Sequence, residues 1–168
     1  GSNLITPEIL QRAIFLNKDV RYLILVHFGG HPAQMSEIIE LCKKNNITIL
    51  EDAAHAFPAQ LDGKMIGSFG NITCFSFYAN KTITTGEGGM LVTNDERIYE
   101  RVKTMRLHGI NRDIWDRFSS SVPSWEYDVI EAGYKYNMPD INAAIGLGQL
   151  ERAEEMRLER QKIAAYYF

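Results

Sequence analysis

Residues 22–51 are YLILVHFGGHPAQMSEIIELCKKNNITILE, a stretch in which the spacing of apolar residues changes twice. YLILVH at 22–27 is an unbroken apolar run rich in β-formers, the pattern of a buried strand. The following FGGHPAQM carries Gly29, Gly30 and Pro32, which interrupt regular structure. MSEIIELCKKN at 35–45 then changes period. Ile38, Leu41 and Cys42 fall on one helical face, and lysines close the last turn. ITILE at 47–51 returns to a short apolar strand. Strand, helix and strand in this order, with wholly apolar strands, predict a mostly parallel sheet covered by helices on both faces, an α/β fold. In such sheets ligands bind beyond the carboxyl ends of the strands. The residues just after each strand are therefore the ones to examine.

Working outward, EILQRAIFL at 8–16 has helical spacing, and ITCFSF at 72–77 and MLVT at 90–93 read as further strands. A helix is expected over roughly 95–106, capped by Asn94 or Asp95. Residues 109–137 are irregular, polar and aromatic, with Ser119, Ser120, Ser121 and Pro123 among them; a loop of that length is usually functional or mobile. Residues 139–168 read as one long helix with Pro139 in its first turn and Glu/Arg pairs along an exposed face. The expected division is 1–138 for the sheet-bearing part and 139–168 for this helix.

The 168 residues suffice for one domain with a core, and 45% of them are apolar. Eighteen basic against 21 acidic residues give a formal charge of −3, which weighs against a nucleic-acid-binding surface. Cys42 and Cys74 stand far apart with no C-x-x-C, as expected of free thiols in a reducing cytoplasm. No apolar run approaches the ~20 residues of a membrane helix, and no signal peptide opens the chain. The opening Gly1-Ser2 reads as the remnant of a removed tag, so the chain is expected to be a piece of a longer protein.

Asp52 follows the second strand of the quoted stretch, and Lys81 follows the strand at 72–77, 29 residues on. One acid and one amine at the mouth of a sheet can grip opposite ends of a flat, polar cofactor. An aldehyde cofactor needs a lysine amine for its Schiff base, and a pyridine nitrogen needs a carboxylate to stay protonated. The plainer reading is two ordinary solvated contacts at strand ends. Other signals point nowhere. His27 and His31 are four apart, but Gly29, Gly30 and Pro32 argue against a helix there, and a metal site needs more ligands; no metal is expected. Gly86–Gly89 lacks the lysine of a P-loop and instead lets the backbone pass close to Lys81. The Glu/Arg-rich stretch 151–162 reads as a solvated helix face.

EDAAHAFPA at 51–59, D-G-K-x-x-G-S-F-G at Asp62–Gly70, CFSFYANKTITTGEGGM at 74–90, RLHGI at 106–110 and YKYNMPDINAAIGLGQLE at 134–151 resemble the DegT/DnrJ/StrS family of pyridoxal-phosphate-dependent sugar aminotransferases. The resemblance runs from Asn3 to Phe168 and is most specific over Phe75–Gly89. It implies the large domain of a fold type I, aspartate-aminotransferase-like enzyme, with pyridoxal 5'-phosphate as cofactor. By the same resemblance Lys81 forms the Schiff base and moves the proton. Asp52 pairs with the pyridinium nitrogen, Ser76 donates to the cofactor phosphate, and His55 lies beside the ring. Asn137 reaches the phosphate of a neighbouring subunit, which implies a homodimer with a shared site. The implied reaction moves an amino group, from glutamate as donor, to a keto group of a nucleotide-linked sugar, in polysaccharide biosynthesis in the cytoplasm. An upstream phosphate-holding segment and a small C-terminal domain of the family are missing, so this chain alone is expected to be inactive. Two rivals stay open: a sugar dehydratase of the same family, in which histidine replaces the lysine, and a non-catalytic binding or regulatory protein of the same fold.

Overall fold

The computed structural model describes residues 3–111 and 127–167. The expected loop features Ser119, Ser120, Ser121 and Pro123, and the opening Gly1-Ser2, lie outside the described residues. The chain divides into two compact units, 1–93 with 140–168, and 94–139.

In the first unit, helix α1 (Pro7–Leu16) opens with Thr6, whose hydroxyl accepts the Ile9 N–H, and with proline at its first position. Strand β1 (Tyr22–Val26), helix α2 (Met35–Lys44) and strand β2 (Thr48–Asp52) follow where the quoted stretch places them. After β2 come a two-stranded hairpin, β3 (Gln60–Leu61) and β4 (Lys64–Met65), then β5 (Ile72–Ser76) and β6 (Gly89–Val92). The hairpin is not among the elements read from the sequence. Its signal is Asp62-Gly63, both at positive φ (51° and 76°), the backbone a two-residue turn between twisted strands requires.

The main sheet runs β1-β2-β5-β6, with β1, β2 and β5 parallel and β6 antiparallel to β5. Successive side chains alternate faces. Leu25, Ile49, Glu51 and Thr73 share one face and are buried. Over it pack Leu10 of α1 and Met35, Ile38 and Cys42 of α2, joined by Ala33 and Ile47. The other face corrects the expectation of a sheet covered on both sides. Tyr22 (71% exposed) and Ile24 (70%) stand in the open, with Val26 and Cys74 also exposed. A continuous apolar run therefore does not mean both faces are covered within this chain.

The expected single helix over 139–168 is two helices, α4 (Asp140–Glu151) and α5 (Ala153–Tyr167). Pro139 precedes the first instead of lying in it. At Arg152 the N–H donates to the Gln149 carbonyl three residues back, a tight turn that separates the two segments.

In the second unit, α3 (Glu96–Met105) is capped by Asp95, whose carboxylate accepts the Arg97 and Ile98 N–H groups. Single bridges Leu107–Lys135 and Ile110–Val129 and an Arg101–Glu131 ion pair close the unit.

Candidate active site

The carboxyl ends of β2 and β5 carry two of the candidate site residues, Asp52 and Ser76. Asp52 is the last residue of β2 and pairs in register with Cys74 of β5. Its Oδ1 accepts the Ala54 N–H at 3.0 Å, the local bond that turns the chain after the strand. No partner holds Oδ2 among the described residues. Ser76 ends β5 on the same face of the sheet, two residues after Cys74. Its Oγ accepts a long bond from the Tyr78 N–H (3.4 Å), which leaves the hydroxyl hydrogen available to donate. Although Cys74 reaches solvent, partial desolvation of its sulfur, with the negative charge of Asp52 adding to it, raises the thiol above its ordinary value.

Lys81 follows in a loop held by its own backbone. Its N–H donates to the Tyr78 carbonyl, Phe77 N–H to the Gly88 carbonyl, and Thr85 N–H to the Phe77 carbonyl. Gly86, at φ 79°, supplies a left-handed turn, and Gly89 allows close approach, because a Cβ there would lie 2.7 Å from the Phe75 carbonyl oxygen. Helix α4 clamps this loop. Asn142 Nδ2 donates to the Thr85 carbonyl (2.7 Å) and the Glu87 carbonyl (3.1 Å), and the Thr84 N–H donates to Gln149 Oε1 (3.3 Å). Between them Gly146 lets the helix in, since a Cβ would sit 2.9 Å from Thr85 Cγ2. Asn142, Gly146 and Gln149 recur at helical spacing on one face. They escaped the sequence reading, though two amides on an otherwise apolar helix were the available signal.

The loop delivers Lys81 into a cleft of about 260 Å³ lined by Gly29, His55, Phe57, Ser76, Asn80 and Arg160, among others. Lys81 Nζ lies 3.0 Å from His55 Nε2. An ammonium has donors only, so the ring nitrogen accepts. The structure thus brings Lys81, His55 and Ser76 together around one space. Asp52 ends the neighbouring strand and is not part of that lining. Asn137 belongs to the second unit, where its Oδ1 is buried with no hydrogen-bond partner among the described residues.

A buried network stands behind the site. His27 continues the ladder after β1, its N–H donating to the Asp52 carbonyl. Its Nδ1 accepts the Ala33 N–H (3.2 Å), so the ring hydrogen is on Nε2, which donates to Glu51 Oε2 at 3.1 Å. Asn71 Nδ2 donates to Glu51 Oε1 at 2.7 Å. His27 is thus engaged with a carboxylate, and no cluster of three or more metal-ligating side chains occurs among the described residues.

The stretch 151–162, read as a solvated face, is only partly so. Arg152 pairs with Glu155 in solvent, but Arg157 and Arg160 line cavities beside Lys81.

The donor set matches pyridoxal phosphate in kind. Lys81 offers a primary amine for an aldehyde, Asp52 a free carboxylate oxygen for a ring N–H, and Ser76 a free hydroxyl hydrogen for a phosphate.

Known proteins resemble this chain along almost its whole length. It is 42% identical over 163 residues to the spore coat polysaccharide biosynthesis protein SpsC of Bacillus subtilis, covering 97% of this chain and 41% of that one. To GDP-perosamine synthase of Escherichia coli O157:H7 it is 42% identical over 154 residues, covering 90% and 39%. The structure superposes on the putative sugar aminotransferase Spr1654 of Streptococcus pneumoniae in its PMP form with a TM-score of 0.86, at 29% identity, over 99% of this chain and 46% of that one. The chain spans about two fifths of the length of the curated relatives it matches. A model of the DegT/DnrJ/EryC1/StrS aminotransferase family matches residues 2–168, and the chain belongs to that family.

Proposed function

We propose that the protein is a pyridoxal-phosphate-dependent aminotransferase that moves an amino group from glutamate to a keto group of a nucleotide-linked sugar. The observation that carries this reading is the Lys81 amine, held in a cleft 3.0 Å from His55 Nε2 with Ser76 in the same wall. A lysine at this position also separates the reading from a dehydratase, for which the family resemblance implies histidine. Lys81, Asp52, Ser76 and His55 would hold the cofactor, which supplies an electron sink for the carbon that loses its proton. Lys81 Nζ takes up that proton and returns it, and His55 Nε2 accepts from the amine whenever it is free. Asp52 keeps its free oxygen for the ring nitrogen, and its fixed charge favours the protonated ring.

Further proposals follow from the same reading. Residues 1–138 form part of the cofactor-binding large domain, and 139–168 lead toward a smaller domain. Asn137, whose Oδ1 has no partner among the described residues, serves the site of a second subunit in a homodimer. Ile141, Ile145, Leu147 and Leu150 of α4 stand exposed, as a helix awaiting a partner would leave them. The protein works in the cytoplasm. Both cysteines are free thiols, and no described helix is long and apolar enough to cross a membrane.

Borohydride reduction of the protein treated with pyridoxal phosphate, followed by peptide mapping, tests the reading. The label is expected on Lys81 and is lost in Lys81→Ala. A label on Lys64 or Lys103 in its place would refute the assignment.

A further inference from the structure

We propose that Arg160, backed by Arg157, walls a second chamber beside the Lys81 cleft that holds the anionic end of a substrate, a phosphate ester or a carboxylate. The proposal rests on Lys81 being the residue at which the amine is exchanged. The two guanidiniums are three residues apart on α5, so they project from neighbouring turns on one side of the helix. The second chamber, of about 420 Å³, shares Gly29, His55, Phe57, Thr82 and Arg160 with the first and adds Arg157. A ligand reacting at Lys81 can therefore extend into it. Among the described residues the charged side chains lining the two spaces are Lys81, Arg157 and Arg160, with no aspartate or glutamate beside them.

The arginines differ in what they have left to give. Arg157 is pinned: Nε and Nη2 donate to the two oxygens of Glu154 at 2.8 and 2.6 Å, and Nη1 donates to Gln161 at 3.1 Å. Its charge is largely answered and its position set. Arg160 has no ion pair among the described residues, and its one hydrogen bond is a long donation from Nη2 to the Lys81 carbonyl, at 3.4 Å. The rest of its planar fork is unused, and that fork matches the paired oxygens of a carboxylate or phosphate. Elsewhere in the lining, glycines add no side chain to the space. Gly29 sits at φ 62° and lines both chambers, and a side chain there would be strained. Gly30 is forced by contact, because a Cβ would fall 2.5 Å from the His55 carbonyl oxygen.

Calorimetric titration of the holoprotein, expressed from its complete reading frame, tests this with inorganic pyrophosphate and glutarate as separate probes. Bound cofactor occupies its own phosphate cradle, so a probe cannot report on that. Arg160→Gln should weaken binding about tenfold or more, the worth of a charge-assisted hydrogen bond. Arg157→Gln should weaken it less, because Glu154 already answers that charge, and Arg152→Gln should change nothing. Loss for pyrophosphate alone assigns the chamber to a phosphate ester, loss for glutarate alone to a carboxylate, and loss for both to an anion wall common to donor and acceptor. If Arg160→Gln keeps its circular dichroism and binds both probes like the unaltered protein, or if neither probe binds the unaltered protein at millimolar concentration, the proposal fails. Binding is read without turnover, so failure to convert glutamate would sink the aminotransferase reading and leave this result interpretable.

Discussion

Replacing Glu51 tests whether the buried network behind the site is held by acceptors, as its geometry requires. Glu51 is 1% exposed and accepts from two directions, His27 Nε2–H and Asn71 Nδ2–H. His27 cannot turn its other nitrogen to help, because Nδ1 is accepting the Ala33 N–H. Glu51→Leu fills the space but leaves both donors without a partner. A buried unsatisfied donor costs about 1–3 kcal/mol. Asn71 is only half-buried and water can reach it, so the loss should centre on about 3 kcal/mol, in the range for breaking a buried pair. Glu51→Gln should cost only about 1 kcal/mol. The glutamine oxygen accepts from His27, and its amide donates to Asn71 once that amide turns over to present its oxygen. For a protein of this size about 3 kcal/mol corresponds to a fall in Tm of roughly 6–12 °C. Thermal unfolding of both variants measures the difference, and hydrogen exchange at the Ala33 amide reports whether the loop at 28–33 loosens with it. Equal losses for Leu and Gln, or a Leu variant within about 1 kcal/mol of the unaltered protein, would refute the acceptor account.

Asp52→Asn should leave the fold intact and lower turnover roughly a hundredfold, the usual worth of one preorganised electrostatic partner; unchanged kcat would remove Asp52 from the cofactor's ring nitrogen. The same substitution should speed alkylation of Cys74, since the Asp52 charge is one of the causes raising that thiol while partial desolvation remains; an iodoacetamide rate that does not rise would contradict it. Asn142→Ala should release the Thr85 and Glu87 carbonyls and loosen the loop that carries Lys81, seen as faster exchange over 78–88 and weaker cofactor retention without global unfolding. Asp95 is held below its ordinary value, first by the Arg97 side chain and then by the Arg97 and Ile98 N–H groups. Its contribution to α3 is therefore complete above the usual carboxylate range and is lost as pH falls through the lowered value. Asp95→Asn should flatten that acid limb of the unfolding profile, and an unaltered limb would show that the cap carries no such linkage.

Much of the molecule was legible before any coordinates, because the signals were local. The apolar runs at 22–27, 47–51 and 72–77, the helical period at 35–45 and the capping residue Asp95 each encode their element within a few residues. The family resemblance added Lys81, Asp52, Ser76, His55 and Asn137, and the structure places the first four at the ends of neighbouring strands or in the loop beyond. What the sequence could not decide are relations between distant segments. Which face of the sheet is covered depends on where α1 and α2 pack, so Ile24 and Leu25 look alike as letters yet are 70% and 0% exposed. That His27 serves Glu51, 24 residues away, follows from the parallel register of β1 and β2 and not from either residue's neighbours. Arg157 and Arg160 have the same Glu/Arg surroundings as Arg152, and what sets them apart is the space that Gly29, His55, Phe57 and Thr82 bring beside them from far earlier in the chain. Side-chain period reports one element's own geometry, while burial, tautomer and charge balance are set by what another part of the chain brings to the same place.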